Sequence, residues 1–471
     1  MRTPVKYQVD ARGRETEDSR LGILGFCLAV AFGCAICLIE VHGHAVSLAV
    51  LVFGGISILT LARPEIALPV FLAAGSLKLD PRLPAFPIDL TVVLGALLWL
   101  SIVLRLLIRP QPLRIPGAYF LYMPLSLMMF ISLLYTPDLG LGLDKALRFL
   151  VLTGVAIVSP LVILESPRRM TVFLTTSVVV GLAVGLNSFA ELGGTAKLAA
   201  PSGDSLALGY LTGTALAIVC ATLPTFSLAR RCLAYLVAIV LLIALLGSGA
   251  RGAAIGVVCC VFLSLLFSRK LAVDFVVLGI LGGLVLSQVS IPMLATSNFA
   301  TLNHPVEAAG IRTELMALGA RLTLEHPFWG VGIAGYPFYT PTQWNYPHNV
   351  ILEIGAEMGV PAALAYVGLI YLALRESIRQ LIDRAFRYKA FSRVVFALLT
   401  VGLVGQSVSG DINDNKAFWL YLGLPFVLRE INIRAQRKGE WPSDNTDAMC
   451  WAARGQMAKQ NNLHANAVLD D

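Results

Sequence analysis

Residues 232–268, CLAYLVAIVLLIALLGSGARGAAIGVVCCVFLSLLFS, form a single apolar run of 37 residues. A helix crosses a bilayer with about 20 residues, so this run makes two helices and must turn between them. The turn falls at Gly247-Ser248-Gly249-Ala250-Arg251-Gly252, where three glycines and a serine permit tight backbone geometry. The same reading extended in both directions gives about fourteen spans: 21–40, 45–62, 64–79, 88–108, 117–135, 147–165, 170–190, 205–226, 232–249, 252–268, 271–291, 348–374, 391–409 and 414–429. Residues 64–79 are short and hold Pro64 and Pro69, so a re-entrant segment there would change the topology upstream. The fold expected is all-α, a polytopic bundle of about 12–14 transmembrane helices.

Composition agrees. Of 471 residues, 57% are hydrophobic and only 14% charged, with a mean hydropathy of +0.75; a soluble protein carries about 25% charged residues. Met1–Arg20 is basic, yet no A-x-A-like cleavage site follows the first apolar run, which therefore reads as a retained helix. With the N-terminus in the cytoplasm and sides alternating, all but nine of the 36 Lys and Arg fall on the cytoplasmic side. That is the positive-inside distribution. Both termini are then cytoplasmic, and 292–347 faces outward. The net charge of +7 lies in cytoplasmic loops that meet anionic lipid headgroups, so no nucleic-acid partner is needed to account for it. None of the eight cysteines falls in an outward loop, and they read as small packing residues. Four segments follow: a cytoplasmic 1–20, a membrane domain over 21–430, an outward loop at 292–347 within it, and a disordered cytoplasmic tail from 431 to 471.

The outward loop is the one long polar interruption. Over Pro305–Glu325, Ile311, Leu315, Leu318 and Leu322 recur with helical spacing and predict an amphipathic helix. Arg312 and Arg321 stand nine residues apart, about 180° around that helix, so both cannot serve one site. Arg321 has Glu325 four residues on, an ordinary surface pair, whereas Arg312 has no acid at i±3 or i±4. Arg312 is therefore the functional candidate. Arg251, in the glycine turn, shares the outward face. It reads either as a headgroup-level arginine or as an anion ligand whose fork matches phosphate oxygens.

Five of the six histidines fall outside. His42-x-His44 lacks thiolate or carboxylate companions and makes a poor metal site; no metal or cofactor is expected. His348 follows Pro347 at the mouth of a span, with Asn349 beside it and Glu353 and Glu357 one turn apart on the helix behind. On an ideal helix those acids face roughly 140–180° away from His348, which suits them to sugar hydroxyls or a neighbouring helix.

Three stretches carry a resemblance. Glu325-His326-Pro327-Phe328-Trp329-Gly330-Val331-Gly332, then Pro347-His348-Asn349-Val350-Ile351-Leu352-Glu353, then Glu357-Met358-Gly359-Val360-Pro361, resemble the signature of the bacterial O-antigen ligase and O-antigen polymerase superfamily. Ser248-Gly249-Ala250-Arg251-Gly252 resembles its arginine-glycine turn, with Ala250 where serine is usual, and Gly310-Ile311-Arg312 its loop-helix arginine. The resemblance implies an inner-membrane glycosyltransferase, metal-independent and inverting. Its donor is a glycan on undecaprenyl diphosphate, and its acceptor is lipid A–core for a ligase or a lipid-linked repeat for a polymerase. Membrane lipids and other polysaccharide-assembly proteins are the further partners it implies. Arg251, Arg312 and His348 would be catalytic; Arg321, Asn349, Glu353, Glu357 and Gly252 would bind substrate. The alternative is a transporter or flippase for a lipid-linked or anionic solute, but no paired repeat is visible and the odd polar residues sit at the outer mouth rather than mid-span.

Overall fold

The computed structural model describes residues 54–77, 89–108, 113–191, 198–267, 273–274, 276–281, 284, 305–340 and 346–437. Helix 54–62 is followed by α1 (Pro64–Leu77), α2 (Leu90–Ile108), α3 (Tyr122–Ser132), α4 (Leu139–Val162), α5 (Pro167–Ser188), α6 (Ser205–Thr222), α7 (Leu228–Ser248), α8 (Arg251–Phe267), α9 (Pro305–Glu325), α10 (Val350–Ile382), α11 (Lys389–Val408) and α12 (Lys416–Arg437). No strand occurs among the described residues. The helices α2, α4, α5, α6, α7, α10 and α11 are long and apolar enough to cross a membrane, while α1, α3 and α8 are apolar but shorter. The protein is an all-α, multi-pass membrane protein. The expected span 21–40, half of 45–62 and most of 271–291, together with His42, His44 and the tail from 438, lie outside the described residues.

The bundle is apolar outside as well as inside. Phe120, Met123, Leu127, Phe130 and Leu134, spaced three and four apart, are all exposed along α3 and the turns at its two ends; a helix apolar on its outer face belongs against lipid. Inside, Trp419 of α12 is ringed by Tyr366, Phe149 and Tyr122, with ring centroids 4.7, 5.2 and 6.0 Å away. Small residues let the helices approach closely. A Cβ on Gly209 would come within 2.2 Å of the Ala250 Cβ, and one on Gly181 within 2.6 Å of the Ala215 Cβ.

Three boundaries differ from the sequence reading. The span expected at 147–165 begins at Leu139, because Asp138 caps it by accepting from the Leu141 N–H (3.0 Å), and it continues through a wide π-type turn at Phe149–Thr153. The span expected at 348–374 is α10, which runs to Ile382 and breaks at Gly359 (φ 80°, ψ 172°). Its second leg, 360–382, is about 34 Å long and spans about 30 Å of hydrocarbon unaided. The first leg, 350–358, stands on top of it. Finally, α12 passes the expected boundary at 430 and ends at Arg437, held by buried Ile431 and Ala435.

Both ends of the bundle are coherent. At one end the Ser202 N–H donates to Ser76 O (2.9 Å), the Leu198 N–H to Gly247 O (3.0 Å), Thr136 Oγ1 to Ile333 O (2.5 Å) and Asn349 Nδ2 to Ser407 O (3.2 Å). These segments are the ones the alternation assigns to a single face. At the other end Arg114 meets Glu430, Arg434 meets Glu165 and Arg429 meets Glu376, each at 3.9 Å.

Candidate functional site

The turn between α7 and α8 begins the site. Gly249 takes the left-handed conformation (φ 66°) that ends α7, and Ser248 Oγ accepts from the Ala250 N–H (3.2 Å). Ala250 is buried against Gly209, and the hydroxyl in this turn comes from Ser248. Arg251 is then the first residue of α8, half-buried, at a helix N-terminus whose free amides favour an anion. Gly252 is a close-approach glycine: a Cβ there would lie 2.6 Å from Val408 Cγ2 and 2.7 Å from the Tyr210 hydroxyl. It brings α6 and the end of α11 against the α8 N-terminus.

Helix α9 lies across this end as predicted, packing Leu315 and Leu322 against α10, while Ile311 at its start stays exposed. Arg312 is exposed and faces the cluster: its charge acts on Tyr210, on Tyr346 and on His348. Arg321 is elsewhere, paired with Glu325 at 3.7 Å with both side chains in solvent. The structure thus separates the two arginines by the half-turn their spacing requires.

His348 is only 4% exposed and holds a positive φ of 58°, an uncommon conformation for a residue with a Cβ. The Tyr346 ring stands edge-on to its imidazole with centroids 4.6 Å apart. Burial, and then the Arg312 charge, lower the His348 pKa from 6.5 to about 4. Tertiary burial and a nearby cation both favour the neutral ring.

The polar residues that follow have protein partners. Asn349 is the N-cap of α10: its Oδ1 accepts from the Ile351 and Leu352 N–H groups (3.0 and 3.1 Å), and its Nδ2 donates to Ser407 O. Glu353 and Glu357, 1% and 0% exposed, turn to Lys145 of α4. Lys145 Nζ lies 2.6 Å from Glu353 Oε1 and 2.9 and 2.8 Å from the two Glu357 oxygens. Glu353 Oε2 also accepts from the Ile412 N–H (3.0 Å), and Asn413 Nδ2 donates to Lys145 O (3.1 Å). One ammonium thus ties α4, the first leg of α10 and the 409–415 loop together. Sequence reasoning missed Lys145. The signal was available: two acids one turn apart in an apolar helix call for a buried cation.

The glycines of the loop motif dock the loop onto the break in α10. The Val331 and Gly332 N–H groups donate to Ala356 O and Glu357 O (2.8 and 3.0 Å), and the Val360 N–H donates to Pro327 O (2.7 Å). Gly330 and Gly359, both at positive φ, meet backbone to backbone; a Cβ would sit 2.4 Å from Glu357 C at the first and 2.5 Å from Phe328 O at the second. Gly359→Ala should therefore cost at least about 1–2 kcal/mol for the left-handed backbone alone, plus the clash. Thermal unfolding in detergent will read it as a clear loss against an exposed control such as Leu324→Ala.

Residues 236–367 match the family described as O-antigen ligase. No curated protein matches the chain. The matched segment holds the Arg251 turn, Arg312, His348, the two acids and the glycine-docked break, and over this segment the chain is similar to the O-antigen ligase family.

Proposed function

We propose that this protein is an integral inner-membrane glycosyltransferase that moves a glycan from undecaprenyl diphosphate to a saccharide acceptor at the periplasmic face, as an O-antigen ligase or polysaccharide polymerase. The observation that carries the reading is that the Arg312 charge is near enough to act on buried His348 and on Tyr210, which packs at the Arg251–Gly252 helix start. Breaking the bond from the anomeric carbon to the diphosphate oxygen puts rising negative charge on the leaving group. Arg251, Arg312 and the α8 amides are placed to receive it, and one such donor is worth about 3–4 kcal/mol. His348 takes the proton from the acceptor hydroxyl as that oxygen attacks the anomeric carbon from the opposite side. The result is one displacement with inversion. Arg321, Asn349, Glu353, Glu357 and Gly252 then act indirectly: Arg321 as a surface residue, the others by shaping the backbone around the site.

The pH dependence follows. A base must be deprotonated, so activity is lost as pH falls through its pKa. For the free enzyme that value is about 4, so the acid limb of kcat/KM should lie near 4 rather than near 6.5. A bound diphosphate offsets the Arg312 charge, so the acid limb of kcat should sit at higher pH than that of kcat/KM. Steady-state rates across pH with purified lipid-diphosphate glycan will test this. A flat profile in His348→Ala with undiminished rate would remove His348 as the base. The product formed with each acceptor class separates ligase from polymerase.

A further inference from the structure

Apart from the Arg251 and Arg312 cluster, a cavity of about 590 Å³ opens where the loop motif meets α3, lined by Ile131, Tyr135, Glu325, His326, Phe328 and Trp329 among others. Phe328 and Trp329 are 71% and 55% exposed. They are not on a loose loop. The Gly330 N–H donates to His326 O (2.9 Å), the Tyr135 hydroxyl donates to Trp329 O, and the next two residues are pinned to the α10 break. Rigid aromatic rings left in the open mark a contact surface. A flat ring flanked by a carboxylate, an imidazole and a phenol is the chemistry that receives a sugar, stacking on its C–H face and bonding its hydroxyls. Among the described residues that line the cavity none is lysine or arginine, and Arg321, which approaches its rim, is paired with Glu325; this favours an uncharged ligand over an anionic headgroup.

Its position fits an acceptor rather than a donor. The cavity sits at Gly330, against Ala356 and Glu357, and His348 lies just before the other end of the same leg. The eight residues from Asn349 to Glu357 rise about 12 Å. Below the cavity runs the exposed apolar stripe of α3, Phe120 to Leu134. We propose that this cavity binds an uncharged sugar of the membrane-anchored acceptor, with Trp329 as its stacking platform, holding a neighbouring sugar towards His348 and the acyl chains along α3. This rests on the glycosyltransferase reading above.

The test uses the full chain in phospholipid nanodiscs. Trp329→Ala should raise the KM for the acceptor glycolipid about tenfold, with donor KM and kcat unchanged, and Trp329→Tyr should recover most of the loss. A second readout needs no turnover. The Trp329 emission, taken as the difference between wild type and Trp329→Phe, should shift when acyl-free oligosaccharide released from the acceptor is added. Transfer that depends on Arg312 and His348 but has an acceptor KM indifferent to Trp329 overturns the subsite and leaves the enzyme reading intact. A sugar-dependent Trp329 signal in a protein that transfers nothing does the reverse. Strong quenching of Trp329 by nitroxide-labelled lipid, unaffected by sugar, makes it a membrane anchor and also overturns the subsite.

Discussion

Arg312→Ala should reach the membrane in normal amount and lose about two to three orders of magnitude in turnover, the cost of removing one donor aimed at a developing anion. The side chain is exposed and its helix is held by buried Leu315 and Leu322, so folding should not suffer. The variant carries a second signature. Arg312 helps to hold the His348 pKa down at about 4, so removing its charge lets that pKa rise, and the residual activity should fall away at a higher pH than in wild type. Arg321→Ala is the control. Its partner Glu325 is a solvent-exposed ion pair, worth at most about 1 kcal/mol, and activity should stay close to wild type. Radiolabelled glycan transfer in membranes, normalised to protein amount, measures both. Full activity in Arg312→Ala beside loss in Arg321→Ala would reverse the assignment.

Lys145→Met should be the most destructive substitution for folding. It leaves Glu353 and Glu357 buried with no ammonium within reach, and breaking a buried pair by removing one partner costs about 3–5 kcal/mol. The Ile412 contact through Glu353 would loosen as well, because the carboxylate would no longer be held from both sides. The expected result is little folded protein in the membrane and a large drop in the unfolding midpoint of what remains. Adding Glu357→Gln to Lys145→Met removes one uncompensated charge and should recover part of the loss. A Lys145→Met protein as stable as wild type would mean that the triad is not ionised as drawn.

What the sequence disclosed followed physical visibility. The glycine turn at 247–252 was legible because an apolar run too long for one helix must turn where Cβ atoms are missing, and the structure turns there at Gly249. Helical angle showed that Arg312 and Arg321 cannot serve one site, and Glu325 four residues beyond Arg321 told which of them is paired. The break in α10 was harder. Gly359 and Pro361 stand in plain sight, but a largely apolar run hides a kink whose carbonyls are satisfied by a loop 25 residues upstream. The two acids call for a cation, but which one was hidden for a related reason: Gly140 and Gly142 blur the periodicity of 139–148, so the segment reads as a loop and Lys145 as surface charge. Asn349, Glu353 and Glu357 looked like ligands because polar groups at a membrane mouth are costly without one. The Asn349 oxygen is taken up by the Ile351 and Leu352 amides just after it, whereas the two acids find the Lys145 ammonium and the Ile412 amide, neither of them near in sequence. The depressed His348 pKa depends on burial and on Arg312, which only the packed fold brings together.

The most direct measurement is transfer by the purified wild-type chain in nanodiscs, supplied with a defined undecaprenyl-diphosphate glycan and a saccharide acceptor, with the linkage of the product determined by NMR. The account predicts a new glycosidic bond of inverted anomeric configuration and one lipid diphosphate released per bond, abolished by Arg312→Ala. Movement of the intact lipid-linked glycan across the bilayer of proteoliposomes, with no bond made and no diphosphate released, would contradict it.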